Sequence, residues 1–231
     1  LADYASLPIA AGTSLEALWD AGAPWRRTAG KNLTVVITSG AGGTGVFGIM
    51  QAVALGAGRV ITAARAEHAP MLKRLGATEV VDYTVHSLWD FLPAESVDVV
   101  YDNYGAPGTA DLAMACLKSA NSGGNSTFIF LPGKSGGLSK HPKPGVRQVD
   151  YGLFTSSPST YAALSAMLDA KTVGPVITGR YALSAQNVEA AFRRQAAGHV
   201  VGKLVFDVAR SSPPSQLLVR WRRLDGANTA P

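Results

Sequence analysis

Between residues 39 and 48 the chain reads Ser-Gly-Ala-Gly-Gly-Thr-Gly-Val-Phe-Gly, and Gly40, Gly42 and Gly45 take the spacing Gly-x-Gly-x-x-Gly. Glycine at those places lets the backbone turn tightly, allows a pyrophosphate to approach the peptide groups, and brings a following helix close against a preceding strand. The flanking residues have the periods such a turn needs. Val35-Val36-Ile37 is a continuous apolar run, and Val46, Ile49, Met50 and Val53 recur at helical spacing. The stretch therefore predicts a strand, a glycine turn and a helix whose free first-turn N–H groups and positive dipole end face an anion. The motif alone also fits a ligand-free turn of any α/β protein; its position between strand and helix is what favours a dinucleotide.

A second place for chemistry is the end of the next apolar run, Arg59-Val60-Ile61-Thr62-Ala63-Ala64, read as strand two. An acid at that end would bond a ribose 2′-OH. Ala64-Arg65 instead leaves room for a 2′-phosphate and supplies a bidentate donor, which makes NADP(H) the expected cofactor. The competing reading, Arg65 and His68 as surface residues without a ligand, stays open on sequence alone.

Other chemistries find less support. His68, His86, His141 and His199 show no metal-ligand spacing with one another or with Cys116, so no metal is expected. Cys116 falls in an apolar helical pattern with Leu112, Ala113 and Leu117, which reads as buried packing. Ser39 is not bracketed as a nucleophile elbow requires, and neither Gly40–Gly45 nor Gly133-Lys134-Ser135 completes a phosphate-binding P-loop. Trp221 among Arg220, Arg222 and Arg223 lies beside a Pro/Ser segment and reads as a solvated terminus.

The elements that must hold the glycine turn follow in order. Residues 7–19 read as a short opening segment and a helix, with Thr13 or Ser14 as N-cap, and residues 22–33 as a polar connection. Strand one covers 34–38, a helix runs from Ala66 to Leu75 and stops at Gly76, and Val80-Val81 centres strand three. Strand four is Val97–Tyr101, a helix spans about Thr109–Lys118, and strand five is Thr127–Leu131. The basic loop 132–147 follows at a strand's carboxyl end, where ligands bind in open α/β sheets; it reads equally as a ligand cover or a solvated loop. Strand six is expected at Arg147–Leu153 and a helix at Ser159–Ala170, with Tyr161, Leu164 and Leu168 on one face. Apolar runs at Val176-Ile177 and Leu204-Val205-Phe206 bracket a helix near 185–197. This alternation predicts an α/β fold: a Rossmann doubly wound parallel sheet of about six strands with helices on both faces. The expected division is an opening helix and connection at 1–33, the dinucleotide-binding domain at 34–208, and a loose basic tail at 209–231.

The totals are compatible with this. The 231 residues suffice for one full core, and 47% hydrophobic with 16% charged residues excludes disorder and a coiled coil. Three of the five net positive charges lie in residues 210–231, so the body is nearly balanced and no nucleic-acid groove is expected. No apolar run reaches the length of about 18 residues of a membrane span, and no membrane partner is expected. The chain begins at Leu1 without a signal-peptide pattern, which reads as a fragment or processed product; the expected compartment is cytoplasmic.

The ordered set of motifs resembles the medium-chain dehydrogenase/reductase superfamily, in its zinc-independent quinone oxidoreductase and enoyl reductase branch. The matching pieces are Leu7-Pro8 through Thr13, Gly40–Gly45, Leu75-Gly76-Ala77 with Val80-Val81-Asp82-Tyr83, Asp98–Gly105, and Gly198-His-Val-Val-Gly-Lys203. They cover about residues 7–208 in the family's order. The resemblance implies that Gly42, Gly43, Thr44, Gly45 and Val46 hold the pyrophosphate and that Thr13 lies near the cofactor at a domain junction. It further implies Asn103 and Gly105 beside the nicotinamide ribose, Leu131, Pro132 and Gly133 beside the ring, and Lys203 close to the cofactor. Ala64, Arg65, His68 and Tyr83 would surround the 2′-phosphate; His68 stands where the family commonly has lysine, and a neutral imidazole gives the weaker contact.

The resemblance implies an NADPH-dependent reductase that delivers hydride to a quinone or activated alkene, and a homodimer often joined through strand six. The family's N-terminal β-rich, GroES-like domain has no counterpart here, so the strands near 176–182 and 203–208 look stranded and no catalytic residue is assigned. The alternative is a non-catalytic NADPH-binding or dimerisation module. A weaker third reading is another Rossmann protein, such as a methyltransferase.

Overall fold

The computed structural model describes residues 3–20, 25, 32–131, 137–152 and 157–208. Helix α1 spans Pro8–Asp20, followed by β1 at Thr34–Ile37, α2 at Gly43–Ala54, β2 at Arg59–Ala64, α3 at Ala69–Arg74 and β3 at Glu79–Asp82. Then come β4 at Val99–Asp102, α4 at Thr109–Cys116, β5 at Ser126–Phe130, β6 at Val146–Asp150 and α5 at Pro158–Asp169. The described chain ends with β7 at Ile177–Ala182, α6 at Ala185–Ala196 and β8 at Lys203–Asp207.

Strands β1 to β6 form one sheet in the order β3-β2-β1-β4-β5-β6, every neighbouring pair parallel. The order reverses between β1 and β4, and in such sheets a crevice opens there at the strands' carboxyl ends. Alternation along β1 divides the core. Val35 and Ile37 face Leu15, Leu18, Phe47, Ile49, Leu72 and Leu164, so α1, α2, α3 and α5 cover one side. Val36 faces Ala113, Met114, Cys116, Leu117 and Phe128, so α4 covers the other. This is the doubly wound α/β sheet expected from the alternating elements. Cys116 is buried as packing, and that burial pushes its thiol up to about 11.

Several boundaries depart from expectation. Thr13 and Ser14 are not an N-cap, because α1 already starts at Pro8, whose fixed φ suits the first helical position. Ser14 instead bonds back to the Ala10 carbonyl at 3.0 Å and reaches the Thr44 carbonyl at 2.8 Å, tying α1 to the start of α2. The helix expected at 66–75 divides into a 3-10 turn at Ala66–His68 and α3. Strand β4 starts at Val99, since Val97 makes only an isolated bridge to Leu117. Helix α4 ends at Cys116 because Leu117 turns extended, with ψ 138°. Strand β6 begins at Val146 and ends at Asp150; Leu153 lies outside the described residues. On α5, Leu164 is buried and Leu168 packs on the core, but Tyr161 is exposed. The strands expected to look stranded pair with each other: β7 and β8 form a separate parallel two-stranded sheet.

Glu16 fastens α1 to α5 and the end of β6. Thr160 Oγ1 donates to Glu16 Oε1 at 2.5 Å, and the Tyr151 hydroxyl donates to Oε2. Glu16→Ala leaves two hydroxyls without their shared acceptor. The expected loss is about 1–3 kcal/mol of unfolding free energy, read as a lower urea midpoint with unchanged slope.

Candidate functional site

The glycine turn joins β1 to α2 at the point where strand order reverses. Gly42 caps α2 with extended backbone and no side-chain oxygen, so the first-turn amides of Gly43, Thr44 and Gly45 receive no capping side chain and have no intrahelical carbonyl to reach. Gly45 cannot be replaced: a Cβ there would stand 1.8 Å from the Ser39 carbonyl oxygen and 2.8 Å from that of Gly40. The absence of a side chain is what lets the helix start so close to the strand.

Two residues at the end of β4 fix this turn. Asn103 Oδ1 accepts from Ser39 N at 2.9 Å and Thr38 Oγ1 at 3.3 Å, while its Nδ2 donates to Ser39 O at 2.9 Å and Thr44 Oγ1 at 3.1 Å. Asp102 Oδ1 accepts from Thr38 Oγ1 at 2.7 Å, Gly105 N at 3.0 Å and Tyr104 N at 3.2 Å. Its Oδ2 is buried and has no partner among the described residues. Neighbouring Tyr101 is fully buried with its hydroxyl 3.3 Å from Ser14 Oγ, and burial holds its phenol well above the ordinary range.

A cleft of about 1200 Å³ opens above the turn. Its floor is Thr38, Ser39 and Ala41 to Thr44; one wall carries Ala64, Arg65 and His68, and the other the segment from Gly198 to Lys203 that leads into β8. That segment is anchored to the turn, because Gly202 N donates to the Ala41 carbonyl at 2.9 Å and Lys203 N to the Val176 carbonyl at 2.9 Å. Gly202 has φ +57°, and a Cβ there would meet the Val176 oxygen at 2.3 Å. The Lys203 side chain crosses the start of α2: its Cδ is 3.0 Å from where a Gly43 Cβ would stand.

Of the residues singled out in the sequence, Gly42, Gly43, Thr44, Ala64, Arg65, His68, Tyr83 and Lys203 line this cleft together. Gly45 and Val46 are buried beneath it, Asn103 supports it from behind, and Gly105 is buried with its amide on Asp102. Thr13 is half-buried within α1 and does not line the cleft, although Ile9 and Ala10 one turn earlier do. Leu131 is half-buried against the core rather than in the cleft; Pro132 and Gly133 lie outside the described residues. The described part of the loop expected as a cover, residues 137–147, also stays away from the cleft. Lys143 is the reason: its ammonium donates to the Met114 and Leu117 carbonyls at 3.0 and 2.6 Å and pairs with Glu95, which draws the loop onto the end of α4.

Three groups stand out among the lining residues that sequence reasoning missed. His86, Ser87, Leu88 and Trp89 come from the segment after β3, a carboxyl-end loop of a parallel strand and therefore a place to look. Ala191, Phe192 and Gln195 come from α6, where the i, i+1, i+4 set was visible; Phe192 is 69% exposed despite its size. The third is His199, discussed below. Among the described residues no group of three or more His, Cys, Asp or Glu side chains is disposed to hold a metal ion. Nor is any helix among them long and apolar enough to cross a membrane.

A parallel sheet reversing at β1 and β4, with a glycine turn at the reversal and a cleft above it, defines a Rossmann-type α/β domain. The chain belongs to the medium-chain dehydrogenase/reductase superfamily: the family described as "Zinc-binding dehydrogenase" matches residues 75–206. It is 32% identical over 205 residues to a 2-methylene-furan-3-one reductase of Solanum lycopersicum, covering 88% of this chain and 46% of that protein. It is 30% identical, with the same two coverages, to a chloroplastic NADPH-dependent alkenal/one oxidoreductase of Arabidopsis thaliana. Among solved structures, the quinone oxidoreductase from Coxiella burnetii shares the fold at a TM-score of 0.70 and 24% identity, over 88% of this chain and 59% of that one. The chain thus spans about half the length of the curated relatives it matches.

Proposed function

We propose that this chain is the cofactor-binding domain of an NADPH-dependent reductase acting on an activated alkene such as an enone, or on a quinone. The observation that carries the cofactor is Arg65. It stands at the cleft wall at the end of β2, with its Nε buried and no protein partner for that nitrogen among the described residues. A buried guanidinium nitrogen left without a partner is costly, and a bound phosphate would satisfy it in the bidentate manner arginine favours. The glycine cradle fits the pyrophosphate in the same way, through uncapped amides at the start of α2. Relatives named as an NADPH-dependent alkenal/one oxidoreductase and a furanone reductase support the same cofactor and substrate class.

NADPH, when bound, supplies the hydride. The chain's own part is to hold and orient it. Gly43, Thr44 and Gly45 would offer amides to the pyrophosphate and Lys203 would place its ammonium over the same turn. Asn103 is a positioning residue that keeps Ser39 and Thr44 in register with the end of β4. Trp89, Leu88 and Phe192 give the cleft apolar surface that excludes water from the bound dinucleotide. The domain division at 34–208, and a homodimer through β6, belong to the same proposal; β6 is an edge strand of the sheet, paired on one side by β5.

Asn103→Ala removes four hydrogen bonds around the turn while leaving the sheet register intact. It is expected to weaken NADPH binding about tenfold in a fluorescence titration and to lower the melting temperature by a few degrees. The substrate class is tested by following NADPH consumption with a panel of enones and quinones. Enone- or quinone-dependent consumption supports the reductase; saturable NADPH binding without consumption by any acceptor would assign the chain instead as a non-catalytic binding module.

A further inference from the structure

We propose that His199 is a phosphate-contacting residue that completes a 2′-phosphate subsite with Arg65 and His68, making the preference for a 2′-phosphorylated dinucleotide dependent on imidazole protonation. This deepens the NADPH reading above and rests on it.

His199 comes from the far end of the chain, yet its Nε2 is 3.4 Å from the Arg65 guanidinium, and both side chains line the cleft beside His68. The placement is built. His199 has φ +58° and follows Gly198 at φ +78°, in a segment pinned to the glycine turn through Gly202 N and the Ala41 carbonyl. Arginine can only donate, so Nε2 can accept from the guanidinium only while that nitrogen carries no proton. A protonated His199 would put a second cation against a guanidinium whose Nε already lacks a partner. A phosphate dianion between them reverses the preference: it accepts from Arg65 and from a protonated His199 at once. Binding of the 2′-phosphate and proton uptake by His199 are therefore coupled, and each favours the other.

The other charged groups around the subsite fit this coupling. Glu67 Oε1 lies 3.5 Å from His68 Nε2, and Glu67 does not line the cleft. Tyr83 and His86 come from the segment after β3, and Lys203 stands over the turn. On α6, Arg193 is paired with Glu189 and Arg194 donates to the Thr178 carbonyl. No described carboxylate forms an ion pair with Arg65 or His199, and Asp102, the acid of the cleft floor, is held by Thr38 and two backbone amides.

The test is a titration of wild type, His199→Asn and His68→Asn/His199→Asn with NADPH and NADH from about pH 6.5 to 8.5. In that range imidazole changes charge while a phosphate monoester stays mainly dianionic. Asparagine tolerates the left-handed backbone at 199, and NADH affinity reports whether the cleft is intact. In wild type the NADPH-to-NADH affinity ratio is expected to fall about tenfold as pH rises across the range. His199→Asn should lower the ratio about tenfold at the acid end and flatten its slope, the double variant should abolish the slope, and NADH affinity should stay unchanged in both. A wild-type ratio independent of pH, or a His199→Asn variant that weakens NADPH and NADH equally, overturns this assignment while leaving the NADPH reading standing. Failure of wild type to bind NADPH at any pH overturns both.

Discussion

Gly45→Ala is expected to abolish NADPH binding and to destabilise the fold at the same time. The added Cβ would fall 1.8 Å from the Ser39 carbonyl oxygen and 2.8 Å from the Gly40 carbonyl oxygen, and both obstacles are backbone. Neither can rotate aside. Helix α2 must therefore move off β1, taking with it the buried contacts of Val46, Phe47 and Ile49 and dispersing the amides that face the cleft. An overpacked site of this kind costs about 4 kcal/mol or more when no side chain can give way. Gly42→Ala is the control: its Cβ would meet Ser39 Oγ at 3.4 Å, an ordinary contact, on backbone with φ −67° that alanine adopts freely. It should melt like wild type and lose NADPH affinity only in so far as a methyl group crowds the phosphate. Thermal melts and titrations of the two variants separate the roles of the two glycines; a Gly45→Ala protein that melts and binds like wild type would refute the turn geometry described above.

Arg65→Ala is expected to weaken NADPH binding about 10- to 100-fold and to leave NADH binding unchanged, the range that follows from removing one or two charge-assisted hydrogen bonds. The selectivity is local because no described acid at the end of β2 lines the cleft. The neighbouring strand places Asp82 beside Ala64 in register, but Asp82 Oδ1 accepts from Thr84 N at 2.9 Å and Thr84 Oγ1 at 2.7 Å, and Asp82 does not line the cleft. Those bonds from Thr84 hold its carboxyl below the usual carboxylate range, so it remains committed to its own turn. Competition titrations with the 2′-phosphorylated and unphosphorylated dinucleotides measure the difference directly. Equal losses for both cofactors would mean that Arg65 supports the cleft without reading the phosphate.

The sheet was legible because its signals are local. The apolar runs of β1, β2, β4 and β5 are buried on both faces, as strands between two helical layers must be, and alternation with helices implied parallel pairing. The glycine turn carried its own explanation, as did Ala64-Arg65 at a strand end. What sequence could not supply was anything decided by distant contacts. Thr13 looked like a cap because polar residues there precede an apolar series, yet Pro8 starts the helix earlier and Ser14 finds its partner thirty residues on, at Thr44. The loop at 132–147 read equally as a cover or a solvated loop, and in its described part Lys143 is bonded to the end of α4. His199 sits 134 residues from Arg65, and no period or spacing relates the two; only the folding of β7, α6 and β8 back over the glycine turn brings them together.

The most direct test of this account is a fluorescence titration of the chain with NADPH and NADH under the same conditions. Saturable binding of NADPH at least about tenfold tighter than that of NADH is the predicted result, because one phosphate contacted by the Arg65 guanidinium at the cleft wall accounts for that margin. No saturable binding of NADPH, or equal affinity for the two dinucleotides, would contradict it.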